Sequence, residues 1–255
     1  ALGDAYAANN MRDTFVRLVS HELRTPLNAA LTWIRLMEVD TSETTRDKGL
    51  EVVANSIDSQ SRLIDDLVDV TRFASAGVRL ESESVDLQEL VETTTEELRP
   101  TIEAEQTLNV SIEAGNYEAN VDPVRIRQIV RNLLTNANKY TPDGGQISVY
   151  LSVQDDGALL RVADSGKGLS EADISHIFEP FWRAKSHQPG LGVGLSIVSS
   201  LVSAHDGRIK VTSDGEDQGS EFSVWLPLTG SPEARVRFQE DTDALELDEA
   251  ADELM

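Results

Sequence analysis

The sequence contains no cysteine, and this absence excludes disulfide bonds, thiolate catalysis and cysteine-ligated metal sites. No run approaches the roughly 18 apolar residues that a membrane span needs, and the first residues lack the basic-then-apolar order of a signal peptide. We therefore expect the chain to be cytoplasmic as given, whereas a longer protein that contains it could be soluble or membrane-anchored.

Basic residues are scarce as well. The chain has 22 Lys and Arg against 45 Asp and Glu, a formal net charge of −23. Such a charge repels nucleic acid and anionic membrane surfaces, so we expect no nucleic-acid partner. Binding of an anionic nucleotide would need local hydrogen-bond donors and a metal ion. With 255 residues, of which 40% are apolar, the chain is long enough for about two domains.

The most informative segment is SHELRTPL at residues 20–27, which places the imidazole of His21 beside the carboxylate of Glu22. A neutral imidazole can attack the γ-phosphorus of ATP if a neighbouring base withdraws the proton on its other nitrogen, and Glu22 is adjacent. Thr25 follows about one turn later, and Pro26 should bend the helix beside His21. Without further support, a His-Glu pair on a helix is an ordinary solvated face.

Apolar residues recur at alternating steps of four and three around this segment and again over Leu50–Leu67, a pattern typical of helices that pack against a partner. We expect a first helix over about Asn9–Glu38 and a second helix to about Phe73, with Thr41 or Ser42 as its N-cap. A linker should follow from residue 74. A single pair of such helices cannot bury both apolar stripes well, so we expect two copies of the chain to form a homodimeric four-helix bundle. A coiled coil without catalytic function is the alternative.

From about residue 79 the pattern changes to alternating strands and helices. We expect strands at 78–83, 108–112, 147–153, 158–163, 208–212 and 221–226, and helices at 86–105, 122–141 and 191–205. The fold class that follows is α, then α+β: a helical hairpin and then an α/β sandwich, with helices on one face of a mixed sheet.

Four segments of the second region carry candidate nucleotide chemistry. Asn132 and Asn136 share a helix face with Lys139 about one turn further on; amide oxygens suit Mg²⁺ bound to phosphates, and an ammonium neutralises phosphate charge. The run 164–168, DSGKG, follows a strand and permits close approach of a flat ligand. The run 190–195, GLGVGL, opens a helix whose free amides face an anion. The fourth is 219–222, GSEF. Each alone is equally an ordinary cap, turn or packing motif.

The order of these motifs resembles the sensor histidine kinases of two-component systems. The string FVRLVSHELRTPLNAAL at 15–31 is similar to their histidine box, and residues 85–227 resemble their ATP-binding domain, part of the GHKL ATPase superfamily. The resemblance implies a dimerisation and phosphoacceptor (HisKA) domain at 1–77 and a GHKL catalytic domain at 78–229. Residues 230–255, which are strongly acidic, form a third region, either disordered or a short docking helix.

The resemblance also implies residue roles. Asn136 matches the Mg²⁺ ligand, Lys139 a phosphate contact and Asp164 the acceptor for the adenine amino group, with Ser220 assisting through water. The remaining nucleotide-binding positions are Tyr140, Gly166, Gly168, Gly192, Val193, Gly194 and Leu195. Asn132 stands where hydrolytic members of the superfamily have a glutamate base, which favours phosphoryl transfer because an amide cannot activate water.

The chain departs from the family pattern in two places. Only Ala184–Pro189 separates Arg183 from Gly190, which makes the ATP lid short and leaves the contacts of Lys185 and His187 open. Ser220 stands where threonine is more usual and keeps the hydroxyl. The two histidines at 176 and 205 are interpreted as structural.

The resulting hypothesis is ATP-dependent autophosphorylation of His21, followed by transfer to an aspartate of a response regulator, with ATP and Mg²⁺ as cofactors. Thr25 could orient water in a phosphatase reaction, or it could simply back-bond to a carbonyl one turn earlier. The expected partners are a second copy of the chain, a receiver domain and an upstream sensor that is missing here, since the chain starts helically without methionine. A signalling pseudokinase scaffold and a hydrolytic GHKL ATPase are the alternatives.

Overall fold

The computed structural model describes residues 2–102, 104–154, 156–183 and 191–229, and side chains from residue 19 onward except 74–76. The chain divides into two compact units. One unit comprises the chain up to Gly77 together with 179–197, and the other begins at Val78 and comprises 78–178 and 198 onward. No described helix combines the length and the apolar content that a membrane crossing requires.

The first unit is built on a helical hairpin of α1, Leu2–Val39, and α2, Glu43–Ala76. Ser42, one of the two residues predicted to cap α2, is its N-cap, and its hydroxyl accepts a hydrogen bond of 3.3 Å from the amide of Thr45. The linker was predicted to start at residue 74, and this start was wrong because α2 continues to Ala76. The small residues there are compatible with a helix, and α2 ends only where Gly77 adopts a φ of 72°.

The hairpin leaves an apolar stripe uncovered on both helices. The amide of Gln60 on α2 donates a 3.2 Å hydrogen bond to the carbonyl of Leu23, which ties the two helices together beside Pro26. The large apolar side chains of the hairpin that are more than 40% exposed are Leu27, Leu31, Ile34, Leu36, Val39, Leu50, Ile57, Ile64 and Val68. A single hairpin therefore does not bury the heptad positions that its sequence provides.

The second unit and its flanking segment contain seven strands and four helices among the described residues. In chain order these are β1 Glu83–Asp86, α3 Leu87–Ile102, β2 Thr107–Ile112, β3 Glu118–Val121, α4 Pro123–Tyr140, β4 Gln146–Gln154, β5 Gly157–Asp164, α5 Glu171–His176, α6 Gly194–Ala204, β6 Arg208–Thr212 and β7 Ser220–Pro227. The strands form a five-stranded sheet in the order β2-β4-β5-β7-β6 and a two-stranded sheet of β1 and β3. In the larger sheet β2 and β4 are parallel, and every other pair is antiparallel. The predicted fold class is confirmed: a helical hairpin followed by an α/β domain with a mixed sheet.

The sequence misplaced one strand and missed two elements. The strand expected at 78–83 was wrong, because the residues that find a partner are Glu83–Asp86, which pair with β3. Strand β3 has four residues, too few for a visible alternation. Helix α5 has no buried residue and therefore no apolar period; it is defined by a capping box between Ser170 and Asp173.

The start of α4 is fixed by a polar network in the core. Asp122 caps the helix by accepting from the amides of Val124 and Arg125 at 3.0 and 3.1 Å. The amide of Asp122 donates to Nε2 of His205 at 3.1 Å, and Nδ1 of that ring lies 2.8 Å from the carbonyl of Leu201. Because His205 is buried and both of its nitrogens are engaged, the structural interpretation of this histidine fits its environment.

Candidate functional site

The predicted phosphoacceptor lies on the surface of α1. The side chain of His21 is 76% exposed, whereas that of the adjacent Glu22 is 8% exposed, and Nδ1 of the histidine is 3.6 Å from Oε1 of the glutamate. The carboxylate therefore faces one ring nitrogen and leaves Nε2 as the candidate nucleophile. This arrangement combines an accessible imidazole with a base held in place beside it.

Arg183 is a residue of this site that the sequence reasoning missed. Its Nη1 lies 3.6 Å from Oε1 of Glu22, so the carboxylate faces both a guanidinium and an imidazole. The two residues belong to the same compact unit although 161 positions separate them. No local sequence pattern relates these two residues. The feature of the sequence that could have pointed to Arg183 is its position directly after the aromatic pair at 181–182.

Thr25 is also at the phosphoacceptor turn. Its hydroxyl donates a 3.1 Å hydrogen bond to the carbonyl of His21, one helical turn earlier. This is the backbone role that the sequence analysis gave as the alternative. The lone pairs of the hydroxyl oxygen remain available as acceptors, so the geometry leaves room for a second contact with water.

Asp164 is a carboxylate of the α/β unit whose two oxygens both accept hydrogen bonds. It ends β5 directly opposite Ser220 of β7, whose hydroxyl donates a 2.6 Å hydrogen bond to Oδ2, and the amide of Gly166 donates to Oδ1 at 2.8 Å. Burial raises the pKa of Asp164, and the hydrogen bonds from Ser220 and Gly166 oppose that rise. The result is a half-buried acceptor whose direction is set by two donors.

Two glycines bring backbone close to this carboxylate. A Cβ on Gly166 would clash with the carbonyl oxygen of Tyr140, the last residue of α4. A Cβ on Gly219 would clash with the carbonyl of Asp164, and Gly219 has a φ of 73°. Gly219 also donates to the carbonyl of Gly166 at 3.0 Å, which connects the 164–168 turn to β7. The structure thus brings together Tyr140, Asp164, Gly166 and Ser220, and adds Gly219, which was not among the predicted site residues.

Helix α4 carries the predicted phosphate and metal residues. Asn132, Asn136 and Lys139 are half-buried along it, and Nζ of Lys139 lies 4.9 Å from the ring centroid of Tyr140. Among the described residues there is no group of three or more His, Asp or Glu that could hold a metal ion. The donor set fits Mg²⁺ held by an amide oxygen together with the phosphates of a ligand, because both are hard oxygen donors.

The glycine run at 192–195 begins α6. Gly192 has a φ of 71° and its carbonyl accepts from the amide of Phe181 at 2.9 Å, while Val193 is buried and Gly194 and Leu195 are half-buried. In the α/β unit, Gly168 lies close to the carbonyl of Gly215, a residue of the same unit. The lid residues 184–190, which include Lys185 and His187, lie outside the described residues.

Comparison with known proteins covers both parts of the chain. The His Kinase A (phospho-acceptor) domain family matches residues 11–76, and the family of Histidine kinase-, DNA gyrase B-, and HSP90-like ATPases matches residues 121–230. The chain belongs to the sensor histidine kinases. The first match contains His21, and the second contains the cluster around Asp164.

Individual histidine kinases agree with this assignment. The chain is 33% identical to the signal transduction histidine-protein kinase/phosphatase MprB of Mycobacterium sp. (strain KMS), over 87% of this chain and 45% of that protein. Full-length ShkA in complex with AMPPNP is 28% identical, with a TM-score of 0.62 over 84% of this chain and 45% of that one. Histidine kinase ThkA in complex with response regulator protein TrrA shares the fold at 22% identity, with a TM-score of 0.63 over 88% of this chain and 64% of that one. The chain spans 18% to 45% of the curated relatives it matches.

Proposed function

We propose that this chain is an ATP:protein-histidine phosphotransferase that undergoes ATP-dependent autophosphorylation on His21 and passes the phosphoryl group to an aspartate of a response regulator. The observation that carries the proposal is the exposed imidazole of His21 with Nδ1 3.6 Å from the buried carboxylate of Glu22. In this function the phosphoacceptor domain is 1–77, the catalytic domain is 78–229, and residues 230–255 form a separate acidic region.

The chemistry at His21 follows from that geometry. Glu22 takes the proton from Nδ1 while the lone pair of Nε2 forms the bond to the γ-phosphorus, and the bond from that phosphorus to the ADP oxygen breaks. ADP leaves, the phosphoryl group stays on the ring, and the proton is held on Glu22. Asn132 supports transfer over hydrolysis, because its amide cannot accept the proton of an attacking water.

The α/β unit supplies the nucleotide site in this proposal. Asp164 accepts from the adenine amino group and Ser220 assists through water, in the orientation that their 2.6 Å hydrogen bond sets. Lys139 would contact phosphate, and the amide oxygen of Asn136 would hold Mg²⁺. When bound, Mg²⁺ neutralises charge on the phosphate oxygens. Tyr140, Gly166 and Gly168 line the nucleotide.

Two partners follow from the hairpin. Its exposed apolar residues fit a second copy of the chain in a four-helix bundle, since pairing would bury side chains such as Leu50 and Ile57, each 56% exposed. The exposed face around His21 fits a response regulator, the kind of partner with which ThkA was solved. A phosphatase reaction on that regulator, an activity that the name of MprB includes, would use Thr25.

Incubation with γ-labelled ATP tests the proposal. We expect label on the protein that is stable in base and lost in acid, as for a phosphoramidate, and no label from α-labelled ATP. His21→Gln is the matched control, because the amide keeps the size of a polar surface side chain but cannot carry the phosphoryl group. Free phosphate without labelled protein would indicate a hydrolytic ATPase, and neither product would indicate a scaffold; either result would refute the proposal.

A further inference from the structure

The five-stranded sheet has a second face, opposite the helices, whose residues the proposed function does not use. In the central strands, alternate residues such as Val149, Val162 and Val224 are buried on the helix side. The intervening residues point the other way. The strand register aligns one row of this outer face across β6, β7, β5 and β4: Lys210, Ser223, Arg161 and Tyr150.

Two aromatic rings with guanidinium groups above them form the centre of the outer face. The indole of Trp225 covers Gly157, where a Cβ would clash with the ring, and its Nε1 donates to the carbonyl of Gln154 at 3.0 Å. Cζ of Arg208 lies 5.0 Å from the Trp225 ring, and Cζ of Arg161 lies 5.2 Å from the ring of Tyr150. These cation–π pairs hold positive charge over an apolar platform.

The charge of the outer face is opposite to that of the chain. Its ionisable strand residues are three bases, Arg161, Arg208 and Lys210, and one acid, Glu221, which lies 3.9 Å from Arg161. The whole sequence has 45 acids against 22 bases. Moreover, Nε of Arg161 is buried and has no hydrogen-bond partner among the described residues. The face therefore presents local positive charge, whereas this buried Nε is not accessible to a docking segment.

The segment that begins three residues after the end of β7 has the complementary charge. Residues 230–255 contain nine acids and two bases, and from Glu240 onward they contain eight acids, no base and the apolar residues Leu245, Leu247 and Leu254. The described chain ends at Thr229, whose amide donates to the carbonyl of Glu118 at 2.7 Å. Twenty-six residues reach up to about 85 Å when extended, whereas five strands span about 19 Å. Length therefore does not prevent this segment from reaching the whole face.

We propose that the acidic segment 230–255 docks on the outer face of its own sheet, with carboxylates on Lys210, Arg208 and Arg161 and its leucines against the aromatic platform. Tethering favours this occupant over any free partner, because a segment joined to β7 has an effective concentration in the millimolar range. A nucleic acid would have to overcome the net charge of −23. The inference is independent of the phosphotransfer proposal.

A spin label tests the docking directly. Because the chain has no cysteine, Ala251→Cys gives one attachment site for a nitroxide in the full chain. The three tryptophans give three indole N–H signals, of which Trp225 reports the outer face and Trp33 on α1 serves as the internal control. At low salt we expect the paramagnetic relaxation rate of Trp225 to exceed that of Trp33 by at least about threefold, and this excess to disappear near 1 M NaCl, where the screening length is about 3 Å.

Charge reversal supplies the matched variants. Lys210→Glu should lower the excess relaxation at Trp225 by at least about twofold, since it replaces an attractive charge by a repulsive one. Arg131→Glu makes the same charge change on α4, on the other side of the sheet, and should leave the excess in place. Combining Glu246→Lys and Asp248→Lys with Lys210→Glu should restore much of the excess relaxation at Trp225.

Three results would overturn the proposal. The first is equal relaxation of Trp225 and Trp33 at low salt, and the second is no response to Lys210→Glu. The third is an equally large excess at Trp225 of isotope-enriched protein that carries no spin label, when it is mixed with spin-labelled protein that is not enriched. The last result would assign the face to the acidic segment of another copy rather than to the chain's own. Thermal unfolding of Lys210→Glu is the folding control. If the excess relaxation at Trp225 falls while the unfolding temperature is unchanged, a general folding defect is excluded as the cause.

Discussion

Asp164→Asn is the sharpest test of the nucleotide site. In the parent, Asp164 receives hydrogen bonds from Ser220 at 2.6 Å and from Gly166 at 2.8 Å, so its orientation is defined before any ligand binds. Asparagine has nearly the same shape but replaces one acceptor oxygen by an NH₂ donor. If that donor faces the adenine amino group, two donors oppose each other; if it faces Ser220 or Gly166, the existing network breaks.

The magnitude follows from hydrogen-bond energetics. A hydrogen bond to a charged group contributes about 1.5–3 kcal/mol, and an opposed buried donor adds a desolvation cost of similar size. The low end of this sum, about 3 kcal/mol, already predicts that the Kd for ATP rises by at least about 100-fold. Ser220→Ala keeps the carboxylate and removes one donor, so its Kd should rise by only about fivefold.

Titration calorimetry at pH 7.5 with a non-hydrolysable ATP analogue measures both effects. Ser223→Ala, on the same strand but on the outer face of the sheet, is the matched control and should bind like the parent. The hydrogen bond from Ser220 lowers the pKa of Asp164, so Ser220→Ala should raise that pKa. As the pH is lowered, ATP binding by Ser220→Ala should therefore begin to weaken at a higher pH than ATP binding by the parent protein. An Asp164→Asn variant that folds and binds ATP within about twofold of the parent would refute the assignment of this pocket.

Three further predictions concern the hairpin. His21→Gln should abolish phosphoprotein formation while calorimetry shows unchanged ATP binding; labelling equal to the parent would exclude His21 as acceptor. Glu22→Ala should lower the autophosphorylation rate by at least about 100-fold. Thr25→Ala should retain most of the autophosphorylation rate and lose phosphatase activity. If a phosphorylated regulator decays as fast with Thr25→Ala as with the parent protein, the role of Thr25 is wrong. Asp66 has a pKa raised from 3.8 to about 6, first by burial and then by Asp69 and Asp65. Its ionised form is therefore less favourable in the folded state, so the free energy of unfolding should rise as pH falls from 7 toward 4, and Asp66→Asn should stabilise the protein by up to about 3 kcal/mol at pH 7.5 and flatten that pH dependence. Thermal unfolding of both proteins at several pH values measures this, and parallel pH profiles would contradict it.

Local features of the chain were readable from the sequence. The caps at Ser42 and Asp122 were predicted correctly, because a cap depends on residues within three positions of each other. The paired helices followed from a heptad period, and the β4–β5 hairpin followed from alternation around a short turn. The placement of Glu22 beside His21 follows from adjacency alone.

Only the tertiary structure shows the contacts between residues that lie far apart in the sequence. Asp164 and Ser220 are 56 positions apart, and they meet because β5 and β7 are neighbours in the sheet, an order that periodicity does not reveal. The same applies to Arg183 and Glu22, whose 161-residue separation is closed only within the folded unit. A sequence period shows which face of an element is buried; which element covers that face depends on strand order and on long-range packing.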